Sequence, residues 1–260
     1  MTDALFDISG KVAVVTGGTR GIGEMIATGY LQRGCKTYIT SRKADACAAM
    51  QEKLSAHGEV IAAPFDLATL DGVEAFAAFM AERESQIDIL VNNAGATWGA
   101  DIDKLDEAAW DKVMDLNVKS IFFLTQKLLP QLRLAAEQAG RARIINIASV
   151  EGHRVPMQPD SFVYPTSKAA VVHMTRALAK RLAKESITVN AIAPGPFESK
   201  MTAFMLSSDE GKQMVGEAMP MGRIGTPDDM IGLSVFLASP AADYITGVSI
   251  PLDGGFVNAR

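Results

Sequence analysis

"TGGTRGIG", residues 16–23, follows the apolar run "KVAVVT" (11–16) and opens the amphipathic stretch "GIGEMIATGYLQRG" (21–34). A short β-branched run, a glycine-rich turn and a helical period, in that order, make the first half of a βαβ unit. Glycines at 17, 21 and 23 permit a tight turn, close backbone approach to a pyrophosphate and close helix–strand packing. The helix N-terminus that follows directs free N–H groups at the anion. Three glycines in a loop carry little weight alone. Their place between a strand and a helix makes the stretch a dinucleotide-binding turn.

Outward from this turn the alternation continues. "KTYIT" (36–40), "EVIAAPFD" (59–66), "DILVNNAG" (88–95), "ARIINIAS" (142–149), "ITVNAIAPG" (187–195) and "GVSIPLDGG" (247–255) read as strands. Helical patterns fall near 43–57, 70–84, 106–137 and 163–185. Strands this apolar, separated by helices, predict a parallel sheet covered on both faces. No repeat, linker or low-complexity tract interrupts the chain, so one α/β domain over 1–260 is expected. The stretch 196–226 breaks the rhythm with methionines at 201, 205, 214, 219 and 221, and is expected to form a mobile substrate lid.

Composition bounds the function. The 260 residues are 48% hydrophobic and 21% charged, enough apolar material for a sizeable core. A net charge of −5 gives no footing for nucleic acid or an anionic membrane. No apolar run approaches the roughly 18 residues of a membrane helix. "MTDALFDISG" has neither the basic nor the apolar region of a signal peptide. Cys35 and Cys47 form no CxxC and suit packing in a reducing cytosol, so a cytoplasmic protein with no metal site is expected.

Charge selects the cofactor. An NAD site needs a carboxylate about 20 residues past the glycines, whereas an arginine there accommodates the NADP 2′-phosphate. No acid lies between Glu24 and Asp45, and the second strand ends in "TSRKADA" (40–46) with Arg42 and Lys43 at its tip. Guanidinium groups suit a dianionic phosphate because each binds it in a fork. NADP(H) is therefore the expected cofactor.

"VYPTSKAA" (163–170) supplies the chemistry. A proline in the first turn of a helix loses nothing by lacking its N–H, which puts Tyr164 and Lys168 one turn apart on one face. A tyrosine acting as acid and base near pH 7 needs its pKa lowered from about 10 by about three units, roughly 4 kcal/mol. One cation about 4 Å away, at an effective dielectric near 20, supplies a similar amount.

Taken in order, "TGGTRGIG", "NNAG" (92–95), "LNV" (116–118), Ser149, "YPTSK" (164–168), "NAIAPGP" (190–196) and "LDGG" (252–255) resemble the short-chain dehydrogenases/reductases over essentially the whole length. The resemblance implies a single doubly wound Rossmann domain with a seven-stranded parallel sheet and helices on both faces. It implies Tyr164 as general acid in reduction, and Lys168 as the group that lowers its pKa and holds the nicotinamide ribose. It also implies Ser149 as hydrogen-bond partner of the substrate oxygen and Asn117 as anchor of a water linking Lys168 to solvent. For the cofactor it implies Gly17, Thr19, Arg20, Gly21, Ile22, Gly23, Ser41, Arg42, Asp66 and Leu67. Asn93, Ala94, Gly95, Pro194, Gly195, Phe197 and Ser199 complete that set beside Tyr164 and Lys168. Asp66 would meet the adenine amino group, and Ser199 stands where a threonine is commoner.

On the substrate side Trp98, Glu151, His153, Met157, Phe162, Phe197 and Met201 are the natural candidates, with the other lid methionines. Ordinary packing is the alternative for each. "EGHRVPMQPDSF" (151–162) is longer than in the commonest pattern. The segments "LVNNAGATWGA" (90–100), "INIASVEG" (145–152), "NAIAPGPFESKMT" (190–202) and "PMGRIGTPDDM" (220–230) are most similar to β-ketoacyl reductases, the rhamnolipid-synthesis type in particular. An NADPH-dependent reductase of a ketone or 3-oxoacyl thioester is expected. A polyol, sugar-acid or other secondary-alcohol dehydrogenase is the alternative, and an NADP-binding redox sensor without chemistry is the alternative of another class. Arg141 and Arg143 offer a basic patch for an acyl-carrier protein, with Glu185 opposing it. Family members are mostly homotetramers, which is the assembly expected.

Overall fold

A computed structural model of the chain describes residues 4–156 and 158–259. Its strands are β1 (Val12–Thr16), β2 (Lys36–Ser41), β3 (Val60–Pro64), β4 (Ile89–Asn92), β5 (Ala142–Ile147), β6 (Ile187–Pro194) and β7 (Ser249–Leu252). They form one all-parallel sheet in the order β3-β2-β1-β4-β5-β6-β7. The chain runs outward from β1 through β2 to β3, then returns to place β4 on the other side of β1. That reversal opens a crevice at the carboxyl ends of β1 and β4, where open α/β sheets bind ligands.

The helices are α1 (Gly21–Leu31), α2 (Ala44–Leu54), α3 (Leu70–Ala81), α4 (Glu107–Met114), α5 (Ser120–Ala139), α6 (Val163–Leu182), α7 (Ala203–Leu206), α8 (Asp209–Glu217) and α9 (Pro227–Ala238). On one face Ile26 and Tyr30 of α1 pack with Met230 and Leu237 of α9 over Val15, Val91 and Ile145. On the other, Phe76 and Met80 of α3 and Leu124, Leu128 and Leu132 of α5 cover Val14, Leu90 and Ile144. Neighbouring residues of β1 thus enter opposite cores, which is why "KVAVVT" is apolar without alternation.

The helical pattern at 106–137 is an unbroken run, Glu107–Ala139, but not α-helical throughout. Between α4 and α5 lies a single π-helical turn, Asp115–Lys119, with Asn117 wholly buried at its centre. Such turns are frequent at functional sites because they re-aim a side chain without ending the helix. Within 196–226 two short helices, α7 and α8, interrupt what the sequence presented as irregular.

Candidate active site

The glycine turn is built around the last residue of β1. The Thr16 hydroxyl accepts the backbone N–H of both Asn93 and Ala94 at 2.9 Å, and Asn93 Nδ2 donates to the Thr16 carbonyl at 2.8 Å. Gly17 and Gly21 have φ of 66° and 55°, the left-handed region that other residues avoid. A Cβ at Gly23 would sit 2.4 Å from Asn93 Nδ2 and from the Gly17 carbonyl oxygen. Side chains are excluded here, leaving a backbone-lined cradle. Helix α1 starts at its edge with Arg20 as N-cap and no side-chain cap, whereas Thr69 and Asp106 cap α3 and α4. The first amides of α1 are therefore open to an anion.

Arg20 and Arg42 are exposed, as is Lys43, and none forms an ion pair among the described residues. Ser41 ends β2 beside them, while Leu67 is buried and Asp66 exposed just beyond β3. Thr19 and Ile22 are half-buried in the turn. Uncapped amides beside unpaired cations fit a dinucleotide that carries an extra phosphate.

The four residues expected to carry the chemistry converge beyond β4 and β5. Helix α6 begins at Val163, so Pro165 lies in its first turn and Lys168 one turn past Tyr164. Lys168 Nζ donates to the Ile147 carbonyl at 2.8 Å and lies 5.6 Å from the Tyr164 ring centroid. Ser149 begins a one-turn 3₁₀ helix, Val150–Gly152, and its Oγ accepts the Glu151 N–H at 3.2 Å. Asn117 Oδ1 accepts the Ala96 N–H at 2.8 Å, and its Nδ2 donates to the Ala96 carbonyl and to Ser167 Oγ, both at 2.9 Å. A Cβ on Gly95 would meet Asn117 Oδ1 at 3.3 Å and Lys168 Nζ at 3.7 Å, so the backbone here passes close to both groups.

One expectation is corrected. Burial pushes the Tyr164 phenol up to about 12, with a hydrogen bond from Ser149 partly opposing it and the charge of Glu151 adding to it. Lys168 does not bring the phenol down; its own ammonium is pushed down to about 8 by burial. Desolvation exceeds the attraction the spacing alone implied, because the ammonium is directed at the Ile147 carbonyl. Both amide protons of Asn117 are committed to Ala96 and Ser167, so its side chain ties the loop after β4 to α6.

Beyond β6, Pro194 is buried, the Gly195 N–H donates to the Leu252 carbonyl at 2.9 Å, and Ser199 Cβ lies 3.1 Å from where a Gly21 Cβ would be. The segment after β6 thereby touches the glycine turn. Phe197 is 2% exposed and its ring fills the space a Cβ would need at Gly225, so its side chain belongs to the core and not to the substrate side. Met219 likewise packs with Val150 and Phe256. Trp98 and Met201 are exposed, with the Trp98 ring centroid 4.3 Å from Lys112 Nζ. Phe162 is half-buried at the N-cap of α6, and His153 Nε2 lies 2.8 Å from Ser249 Oγ. Met157 lies outside the described residues.

The expected basic patch does not form. Arg143 is buried at the start of β5, donating to Ser239 O at 3.1 Å and to the Asp243 carboxylate, and Arg141 donates to the Asp243 carbonyl. Glu185 is taken by Arg133 and Arg181. These charges hold loops together at the end of the sheet where β5 begins.

Several supporting groups escaped the sequence reading. Asn92 Nδ2 donates to Asn146 Oδ1 at 2.9 Å, and Asn146 Nδ2 to Thr175 Oγ1 at 3.0 Å, a buried chain from β4 through β5 to α6. Thr16 and Ser167 flank motif residues and carry the clamps just described. Asparagines inside apolar strands were the available signal, because a buried amide must find partners.

A family model described as enoyl-(acyl carrier protein) reductase matches residues 17–257. The rhamnolipids biosynthesis 3-oxoacyl-[acyl-carrier-protein] reductase of Pseudomonas aeruginosa is 45% identical over 251 residues, covering 96% of this chain and 98% of that protein. The 2-dehydro-3-deoxy-D-gluconate 5-dehydrogenase of Escherichia coli K12 is 36% identical over 256 residues, covering 97% of each. Among solved structures, Pseudomonas aeruginosa RhlG in an NADP active-site complex matches with a TM-score of 0.94 at 44% identity, over 98% of this chain and 100% of that one. A gluconate 5-dehydrogenase from Burkholderia cenocepacia J2315, in complex with NADP and tartrate, matches with a TM-score of 0.89 at 29% identity over 99% of each chain.

Proposed function

The chain belongs to the short-chain dehydrogenase/reductase family, and on that premise we propose that it is an NADPH-dependent reductase converting a ketone or 3-oxoacyl thioester to a secondary alcohol. The observation that carries the reading is the meeting of Tyr164, Ser149 and Lys168 beside an uncapped, glycine-lined cradle. Gly17, Gly21, Gly23 and the first amides of α1 would hold the pyrophosphate, with Arg20 and Arg42 on the 2′-phosphate. The bound cofactor supplies the hydride. Tyr164, with its phenol pushed up to about 12, carries its proton at neutral pH, the state a reductase needs to protonate the carbonyl oxygen. Ser149 orients that oxygen by hydrogen bonding. Lys168, at about 8, keeps most of its positive charge at pH 7 and lies one turn from Tyr164, its Nζ 5.6 Å from the ring centroid. Asn117, through Ala96 and Ser167, holds the loop and helix in register.

Residues 196–226 act as the lid, with Met201 and Phe204 as its exposed apolar side chains. Sugar-acid oxidation is the second reading, supported by the gluconate 5-dehydrogenase relatives. A screen of NADPH oxidation across 3-oxoacyl thioesters, diketones and keto-sugar acids tests the proposal. Turnover of the thioesters supports it, turnover of the sugar acids alone favours the second reading, and tight NADPH binding without turnover makes the protein a sensor. Exposed Trp110 and Phe122 on α4 and α5, and fully exposed Tyr244, support a homotetramer, which light scattering would weigh. Two buried free thiols, Cys35 and Cys47, support a reducing cytoplasm.

A further inference from the structure

The turn that follows β5 is pinned on three sides. Ser149 begins it and accepts the Glu151 N–H at 3.2 Å. Gly152 lies flat against the catalytic helix, since a Cβ there would sit 2.8 Å from the carbonyl carbon and oxygen of Lys168. His153 Nε2 and Ser249 Oγ, 2.8 Å apart, tie the exit of the turn to β7. Glu151 is thereby fixed between Ser149 and the backbone of Lys168.

Its side chain is half-buried, and among the described residues its carboxylate takes no hydrogen bond or ion pair. Arg154 is the one cation it feels, and that guanidinium is parked 4.2 Å from the centroid of the Phe256 ring. Burial accordingly raises the Glu151 carboxyl, as befits a charge that no close partner neutralises. The same charge helps hold the proton on Tyr164, so its field reaches the reacting oxygen.

We propose that Glu151 is a specificity-determining residue, whose unpaired carboxylate beside Ser149 excludes substrates bearing a carboxylate near the ketone and admits neutral 3-oxo esters, thioesters and ketones. The inference rests on the reductase reading above. Discrimination by a misplaced like charge needs no new contact to the favoured substrate; it penalises the competitor. Two like charges within several ångströms, at an effective dielectric near 20 and with some salt screening, change kcat/KM by about tenfold.

A matched pair isolates the charge, because ethyl acetoacetate and acetoacetate present the same ketone with and without an anion. NADPH oxidation is followed with each for the wild type, Glu151→Gln and Glu151→Ala at low ionic strength. The readout is the ester-to-acid ratio of kcat/KM, which general loosening of the turn leaves unmoved. The wild type favours the ester, and the ratio falls about tenfold in both variants. Added salt narrows the ratio in the wild type and leaves it unchanged in the variants. A ratio unaltered by both substitutions, or a wild type that prefers the acid, overturns the inference while leaving the reductase intact. A wild type that reduces neither compound nor any other ketone defeats the reductase reading and this inference with it.

Discussion

Lys168 pays in stability for its place in the site, and replacing it with methionine should make the protein more stable while destroying its activity. The side chain is 4% exposed and its ammonium donates to the Ile147 carbonyl. Burial lowers it from 10.5 to about 8. That fall corresponds to about 3 kcal/mol against the folded state wherever the buried lysine is itself charged. The cost is full below pH 8 and fades as the pH climbs to 10.5, because the folded state then has fewer protons to release than the unfolded one. Methionine fills a similar volume but leaves the Ile147 carbonyl without its donor, a loss of about 1 kcal/mol. The net gain for Lys168→Met at pH 7 is then about 2 kcal/mol, or roughly 5 °C in Tm for a chain of this size. Urea unfolding without cofactor, followed by tryptophan fluorescence at pH 7, 8, 9 and 10, measures it. The advantage of the variant should be greatest at pH 7 and shrink steadily above pH 8. A variant less stable than wild type at pH 7, or an advantage that does not change with pH, would refute the reasoning.

Other substitutions probe the remaining parts. Arg42→Ala should raise KM for NADPH at least about tenfold and KM for NADH less than about threefold, the loss of one charge-assisted contact to a phosphate; steady-state kinetics with both cofactors reads this, and equal losses would remove the 2′-phosphate assignment. Gly23→Ala places a methyl 2.4 Å from Asn93 Nδ2 and should cost about 1–3 kcal/mol in overpacking, seen as weaker NADPH binding by fluorescence titration together with a lower Tm. Asn117→Ala removes three hydrogen bonds and should destabilise the fold by about 3 kcal/mol in urea while lowering kcat more than it changes KM.

The sheet was legible because its physical signals are local. "KVAVVT" is apolar without alternation since both its faces meet helices, and glycines 17, 21 and 23 mark a turn where backbone can approach a phosphate closely. Pro165 foretold the start of α6, since a proline in a helix's first turn loses no hydrogen bond. What failed depended on neighbours distant in sequence. Tyr164 and Lys168 are one turn apart as expected, yet burial by surrounding elements, which spacing does not encode, set the direction of both proton affinities. The π turn between α4 and α5 was hidden because it accommodates Asn117 without ending the helix. Arg143 reads as a surface cation until Asp243, a hundred residues on, is brought beside it. Phe197 reads as a ligand contact until Gly225 offers it a slot.

The account turns on Tyr164 as the proton donor. Single-turnover oxidation of bound NADPH with a neutral 3-oxoacyl thioester, compared between wild type and Tyr164→Phe, tests it most directly. Tyr164 is half-buried and its phenol is hydrogen-bonded with Ser149, so phenylalanine removes the proton and that one hydrogen bond while keeping the ring. The rate should fall by a factor of about 10² to 10⁴, the usual contribution of general acid catalysis, with NADPH affinity nearly unchanged. A variant that oxidises NADPH at the wild-type rate would contradict the account.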